Sequence, residues 1–407
     1  MAMAAAAGAV PAGAGAAERR DLYGFWVPLA LMLGFAALAL YRYALLWELD
    51  AAGLSARVGK VPEWDFANLW AGARLALDGR IDALFDVAAF REAFAELARP
   101  EIEGREWSYP PTMLLVGAPF ALLPLGTAYW LWHAVTVGLL ALALRAAGLR
   151  GGWIAFLALS PAALGSLLLG QNGAFTAALL IGGLALVPTR PVLAGIAFGV
   201  LTVKPQLGLV VPLCLIACGA WRCFGAATLT AIGLALLAAL AFGVEAWVGF
   251  LEATRPMMSA IMEAPAPQPY HVRSVNAFLL ARMAGADLAL GYAVQAACSA
   301  AAIAAAARLW RPDVAIEPGR RAALTAALAV LALPYGYTYD AIPIAVLAVL
   351  MLRQGWVWLA LAAWASPLMF ELAMQGGAGA KALAPTLALW IALVALGAWA
   401  LRERRAL

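Results

Sequence analysis

Apolar residues run along the chain in long blocks, broken by short polar clusters. The first block, Phe25 to Leu46, is long enough to cross a bilayer as a helix of about 20 residues. Later blocks lie near 127–145, 153–169, 172–187, 191–203, 205–220 and 223–243, and several are shorter than a span requires. Trp107 to Pro124 is too short and too proline-rich at its ends for a comfortable span, and reads as a re-entrant or half-spanning helix. The longest polar region, Trp47 to Trp107, follows the first block. Within it Phe66 to Leu77 carries good helix formers, and Asp86 to Ala98 sets Phe90, Phe94 and Leu97 on one face. This predicts short amphipathic helices lying on the membrane surface; a solvated loop with incidental helicity is the plainer alternative.

Composition fixes the class. Apolar residues make up 65% of the chain and charged residues 12%, against about half and a quarter in soluble domains. The expected fold is all-α and polytopic, one membrane domain over residues 21–407, with residues 1–20 as a disordered Ala/Gly-rich cytoplasmic tail. Arg19-Arg20 precede the first block, as in an uncleaved signal-anchor helix whose start stays inside. The net charge of +4 is spread over loops and speaks for topology, not nucleic acid. Cys214, Cys218, Cys223 and Cys298 lie in or beside apolar blocks and read as small buried hydrophobes, with no metal-ligand spacing.

Charge also assigns sides. Glu48 to Glu106 holds seven Lys/Arg against twelve Asp/Glu, a net of −5, and is placed outside. Arg145 with Arg150, Arg190 and Arg222 fall at alternate turns and are placed in the cytoplasm. That leaves LGQNG and TVKPQLG outside with Asp65, together with Glu245 to Arg273 and PYGYTYD. About twelve spans result, with both termini inside.

A strongly polar group at membrane depth is costly and marks function by default. Asp65, between Trp64 and Phe66, reads equally as a general base or as a helix N-cap. Lys204 interrupts a helix before Pro205 and Gln206, as a phosphate-binding ammonium or a snorkelling side chain. Gln171 and Asn172 are candidates for a sugar or a phosphate, or for capping in a Gly-Gln-Asn-Gly turn. His271 and Arg273 form a basic cluster that with Lys204 could make an anion pocket; a solvated loop is the alternative. Asp340 binds sugar hydroxyls or ties down a helix break. Asn68, Gln206, Trp107 and Tyr109 complete the sugar or acceptor candidates, the two aromatics also suiting an interfacial belt. No P-loop, nucleophile elbow or zinc spacing is present, and with His133 in a helix no histidine metal site is expected.

The succession DFANLWAGARLALDGR, WSYPPTMLL, SPAALGSLLLGQNGAF, RPVLAGIAFGVLTVKPQLGL, RSVNAFLLAR and LALPYGYTYD resembles glycosyltransferase family 87, of the GT-C membrane glycosyltransferases. The resemblance runs from about Asp65 to Asp340. It implies a polytopic enzyme that takes a sugar, typically mannose, from a polyprenyl-phosphate carrier. The sugar passes to a lipid or glycan acceptor on the outer side of the membrane, which the Ala-rich composition suggests is a bacterial plasma membrane. It implies inversion by single displacement, an acid in the first outer loop as base, here Asp65, and no cofactor. Lys204, His271 and Arg273 are assigned to the donor phosphate on chemistry. The competing readings are a transporter or flippase of lipid-linked sugars and a noncatalytic membrane scaffold.

Overall fold

The computed structural model describes residues 26–97, 106–266, 268 and 270–373. The tail expected over 1–20, with its basic pair, and residues 374–407 lie outside the described residues. All described regular structure is helical, apart from two isolated bridges, Leu49 with Ser55 and Ser274 with Tyr337.

Four helices are long and apolar enough to cross a membrane: α1 (Val27–Leu45), α5 (Leu125–Ala146), α11 (Trp221–Phe242) and α15 (Leu288–Leu309). The other apolar blocks are broken into shorter pieces, so the described residues do not confirm the count of about twelve spans. Block 153–169 splits into α6 (Gly152–Ala158) and α7 (Pro161–Leu168). Ser160 causes the split. It is extended, caps α7 by accepting from the Ala163 N–H, and precedes a proline that favours a helix start. Block 191–220 becomes α9 (Pro191–Val200), two short 3₁₀ turns at Leu201–Val203 and Pro205–Gly208, and α10 (Val211–Ala217). The helix α4 (Thr112–Ala121) has ten residues and is about 15 Å long, half of a hydrocarbon core. It cannot cross by itself.

The two helices expected in the first polar region are present as α2 (Trp64–Leu77) and α3 (Val87–Leu97). Their setting differs from the expectation of helices lying on a surface. In α2, Phe66, Ala67, Ala71, Ala73 and Leu75 are all at 0% exposure. Small residues make this enclosure possible: a Cβ on Gly72 would strike the Trp107 ring at 2.3 Å, and one on Gly117 of α4 would meet Ala73 at 2.9 Å. Phe90 and Phe94 of α3 are fully buried against the same cluster. Burial of each from water contributes about 2 kcal/mol.

The remaining helices are α8 (Gly173–Leu186), α12 (Glu245–Gly249), α13 (Arg255–Glu263), α14 (Ala277–Met283), α16 (Pro318–Ala332), α17 (Ile342–Arg353) and α18 (Val357–Ala373). The nearly all-buried α8 lies among α5, α9 and α16. Its beginning touches the Tyr339 carbonyl through Gly173, and toward its end Gly182 meets Ala143 of α5. Gly319, at the start of α16, lies against the Ala147 carbonyl just after α5. Arg145, Arg190 and Arg320 therefore gather at the end of the bundle away from Tyr339.

Candidate functional site

Five polar breaks, far apart in sequence, meet at the other end. The Leu169–Gly173 turn is the centre of this meeting. Gly170 adopts φ +61°, and a Cβ there would fall 2.4 Å from the Glu63 carbonyl oxygen and 2.6 Å from the Phe66 nitrogen. A Cβ on Gly173 would fall 2.1 Å from the Tyr339 carbonyl oxygen. Glycine at both positions lets one turn touch the start of α2 on one side and the 334–340 break on the other. The Asp65 N–H donates to the Leu169 carbonyl at 2.9 Å. The Gln171 side-chain amide donates to Asp65 Oδ2 at 2.7 Å. Asp65 is thus not the cap of α2, a position held by Glu63. It stands in the first turn, where the helix dipole favours a carboxylate.

The 334–340 break is fastened on its far side by RSVN. The Val275 N–H donates to the Gly336 carbonyl at 3.0 Å, and Ser274 Oγ donates to the same oxygen at 3.3 Å. Tyr335, Tyr337 and Tyr339 line up at ring spacings of 5.1 and 5.5 Å.

These pieces line a partly open chamber of about 770 Å³. Asp65, Asn68 and Gln171 line one side and the three tyrosines another, with Tyr109 and Tyr270. Lys60, Arg91 and Arg273 supply cationic groups, and Glu106 lies 3.6 Å from Arg91. Met257, Met258 and Ile261 of α13 close it with an apolar face. Asn68 donates Nδ2–H to the Glu106 carbonyl at 3.0 Å, while its buried Oδ1 accepts from no group among the described residues. Arg273 also borders a narrow apolar crevice running among Ala39 of α1, Leu164 and Leu168 of α7, and Leu368 of α18.

Of the expected site residues, Asp65, Asn68, Tyr109, Gln171 and Arg273 line the chamber. Six do not. Lys204 was expected at a donor phosphate, but it is buried and bound to Asp340 at 2.5 Å, with its ammonium 4.9 Å from the Tyr339 ring centre. It stands one ring behind the chamber wall. Asp340 is consumed by the same pair and accepts the Tyr337 N–H at 3.1 Å, so it ties down the break and leaves no face for sugar hydroxyls.

His271 is corrected for a different reason. Its Nδ1 accepts from the Gln268 N–H and its Nε2 faces the Ile261 carbonyl, each at 3.3 Å. Accepting at Nδ1 requires the neutral ring, and burial pushes its pKa below the ordinary value. It is a loop fastener without a charge for phosphate. Trp107 is 1% exposed, wedged against Gly72, and belongs to the core. Asn172 is buried at the start of α8 and makes no side-chain cap bond. Gln206 is half-buried in the Pro205–Gly208 turn, off the chamber.

The reading of the sequence missed Lys60, Arg91, Glu106, Tyr270 and the three aligned tyrosines. The tyrosines had a signal. Their alternation at 335, 337 and 339, in an irregular stretch that ends in a 3₁₀ turn, goes with ring spacings of 5.1 and 5.5 Å. Arg91 lies one residue from Phe90 and so off the buried stripe of α3, which a helical projection displays. No group of three or more His, Cys, Asp or Glu side chains that could hold a metal occurs among the described residues.

Membrane-length helices around a polar, tyrosine-walled chamber define a polytopic membrane protein with a partly open site at one end of its bundle. Residues 107–334, more than half of the chain, match glycosyltransferase family 87, and the chain belongs to that family of membrane glycosyltransferases. The match includes LGQNG, VKPQ and RSVN, but begins after Asp65 and ends before the aligned tyrosines. No curated protein and no solved structure matches the chain.

Proposed function

We propose that the protein transfers a hexose, mannose in the first instance, from a polyprenyl-phosphate-linked donor to a lipid or glycan acceptor on the outer side of a bacterial plasma membrane. One observation carries this reading. Arg273 belongs both to the chamber that holds Asp65 and to an apolar crevice between bundle helices. A phosphate at that guanidinium would have its sugar in the chamber and its tail among the helices.

The chemistry follows from the lining. The acceptor hydroxyl oxygen attacks the anomeric carbon from the face opposite the phosphate, and inversion results. The bond from that carbon to the phosphate oxygen breaks, and its electron pair leaves with the phosphate. Asp65, oriented by Gln171, takes the hydroxyl proton. Arg273, with Arg91 and Lys60 on the same chamber, balances the departing charge. The tyrosine wall suits a sugar, with ring faces for stacking. Confinement in line contributes much of the acceleration. The gathering of Arg145, Arg190 and Arg320 at the opposite end supports a chamber on the outer face.

The test is transfer in proteoliposomes with labelled polyprenyl-phosphate mannose and a membrane lipid extract. A new labelled glycolipid with wild type, absent with a folded Asp65→Asn variant, is the expected result. Equal transfer by both would remove Asp65 from the mechanism. Movement of the donor across the bilayer without transfer would favour the flippase reading.

A further inference from the structure

A second polar–apolar junction lies at the opposite end of the bundle and takes no part in the chemistry above. Helices α9 and α11 run parallel. A Cβ on Gly195 would fall 2.5 Å from the Cys223 carbonyl oxygen, and one on Gly199 would fall 2.4 Å from Thr230. The first residues of both helices, Pro191 and Trp221, therefore share one end, away from Asp65. Between them lies an open groove of about 850 Å³.

The walls of this groove are apolar and face outward. Leu193, Ile196 and Leu229 are 46%, 42% and 73% exposed. Arg190 and Arg222 stand at its mouth beside the exposed Trp221. Among the described residues no carboxylate lines the groove and neither arginine makes an ion pair. Two guanidiniums sharing one mouth repel each other unless an anion sits between them. A free anion would answer the arginines but not the groove. An alkyl chain would answer the groove but not the arginines. An indole at this position marks the level of lipid headgroups, and guanidinium forks match phosphate oxygens.

We infer that this groove holds one anionic phospholipid, its phosphate between Arg190 and Arg222 and one acyl chain along α9 and α11, in the leaflet opposite the chamber. The occupant follows from charge complementarity joined to apolar shape. The site does not depend on the glycosyl-transfer reading. Its seat is also mechanically placed: α9 runs from Arg190 directly into the turns that set Lys204 behind Tyr339.

The full-length protein in phosphatidylcholine nanodiscs is titrated with phosphatidylglycerol, and the thermal unfolding midpoint is followed. Two surface guanidiniums correspond to roughly a thirtyfold preference for the anionic lipid. Wild type is expected to respond at roughly thirtyfold lower phosphatidylglycerol mole fraction than the Arg190→Gln, Arg222→Gln double variant. Equal response of the two proteins would overturn the proposal. So would inorganic phosphate reproducing the effect, because the site would then bind a free anion. A second arm needs no variant. Phosphatidylglycerol with a photoreactive acyl chain should label residues 192–196 and 225–229 of wild type, and excess unlabelled phosphatidylglycerol should suppress the labelling more than phosphatidylcholine does. Even labelling along α1, α5 and α15 would mean ordinary solvation by lipid and would sink the site.

Discussion

Gln171 reaches back 106 positions along the chain to donate a 2.7 Å hydrogen bond to Asp65. The bond orients the carboxylate on the wall of the chamber. Replacing Gln171 with Leu removes this orientation but not the acid. Transfer should fall about tenfold, whereas Asp65→Asn should cost about 10² to 10⁴, the usual contribution of a positioned base. Steady-state transfer rates of the two variants, each checked for unchanged thermal unfolding, decide the matter. Equal losses would mean that Gln171 does more than hold Asp65.

The chamber and the crevice share Arg273. If it grips the donor phosphate, Arg273→Lys should keep the charge and lose the fork, raising the donor KM by roughly tenfold with a smaller change in kcat. Arg273→Gln should lower both kcat and affinity. A change confined to the acceptor KM would move the phosphate elsewhere in the chamber.

Lys204 and Asp340 form a buried pair at 2.5 Å. Removing one partner strands a charge, so Lys204→Met or Asp340→Asn should each destabilise by about 3–5 kcal/mol. The double variant Lys204→Met with Asp340→Leu should recover part of that loss. Activity should track stability, since neither group lines the chamber. A double-mutant cycle on unfolding midpoints measures the coupling, and additive losses would count against the pair.

His271 gives a pH signature. Its folded pKa is lowered from the ordinary 6.5, chiefly by burial, so the unfolded loop binds a proton more readily than the folded one. Stability from this group is complete above the unfolded value. It is lost as pH falls below about 6.5 toward the depressed folded value. Amide exchange of residues 270–275, corrected for intrinsic rates, should therefore accelerate at pH 5 relative to pH 8. His271→Gln should flatten that difference. An unchanged pH response in the variant would assign the effect to another group.

Much of the site was legible as polar interruptions in an apolar pattern. Asp65, LGQNG, RSVN and PYGYTYD were each visible because water-loving groups at helix breaks need a reason in so apolar a chain. The bounds of α2 and α3 came within two residues, since helix formers and a Phe90/Phe94 stripe are local signals. Pairings were not local. Lys204 looked like an anion site because its counter-ion lies 136 positions away. His271 looked cationic because its two backbone partners depend on how the loop closes. Trp107 looked like a stacking platform because nothing in its neighbourhood announces that Gly72 makes room for the ring. The enclosure of α2 was hidden for the same reason: helical periodicity tells which face is apolar, not how many neighbours will cover the rest.

The contacts of Gly170 and Gly173 leave no clearance on either side of their turn. Asp65, the turn and the tyrosine strip therefore behave as a single fixed jaw. The opposing α13 contains no fully buried residue and meets the chamber through Met257, Met258 and Ile261. Slack belongs to that side alone. Differences in acceptor size among relatives should then be accommodated by exchanging methionines and their neighbours on the loose jaw. Lengthening the glycine turn would dismantle the vise.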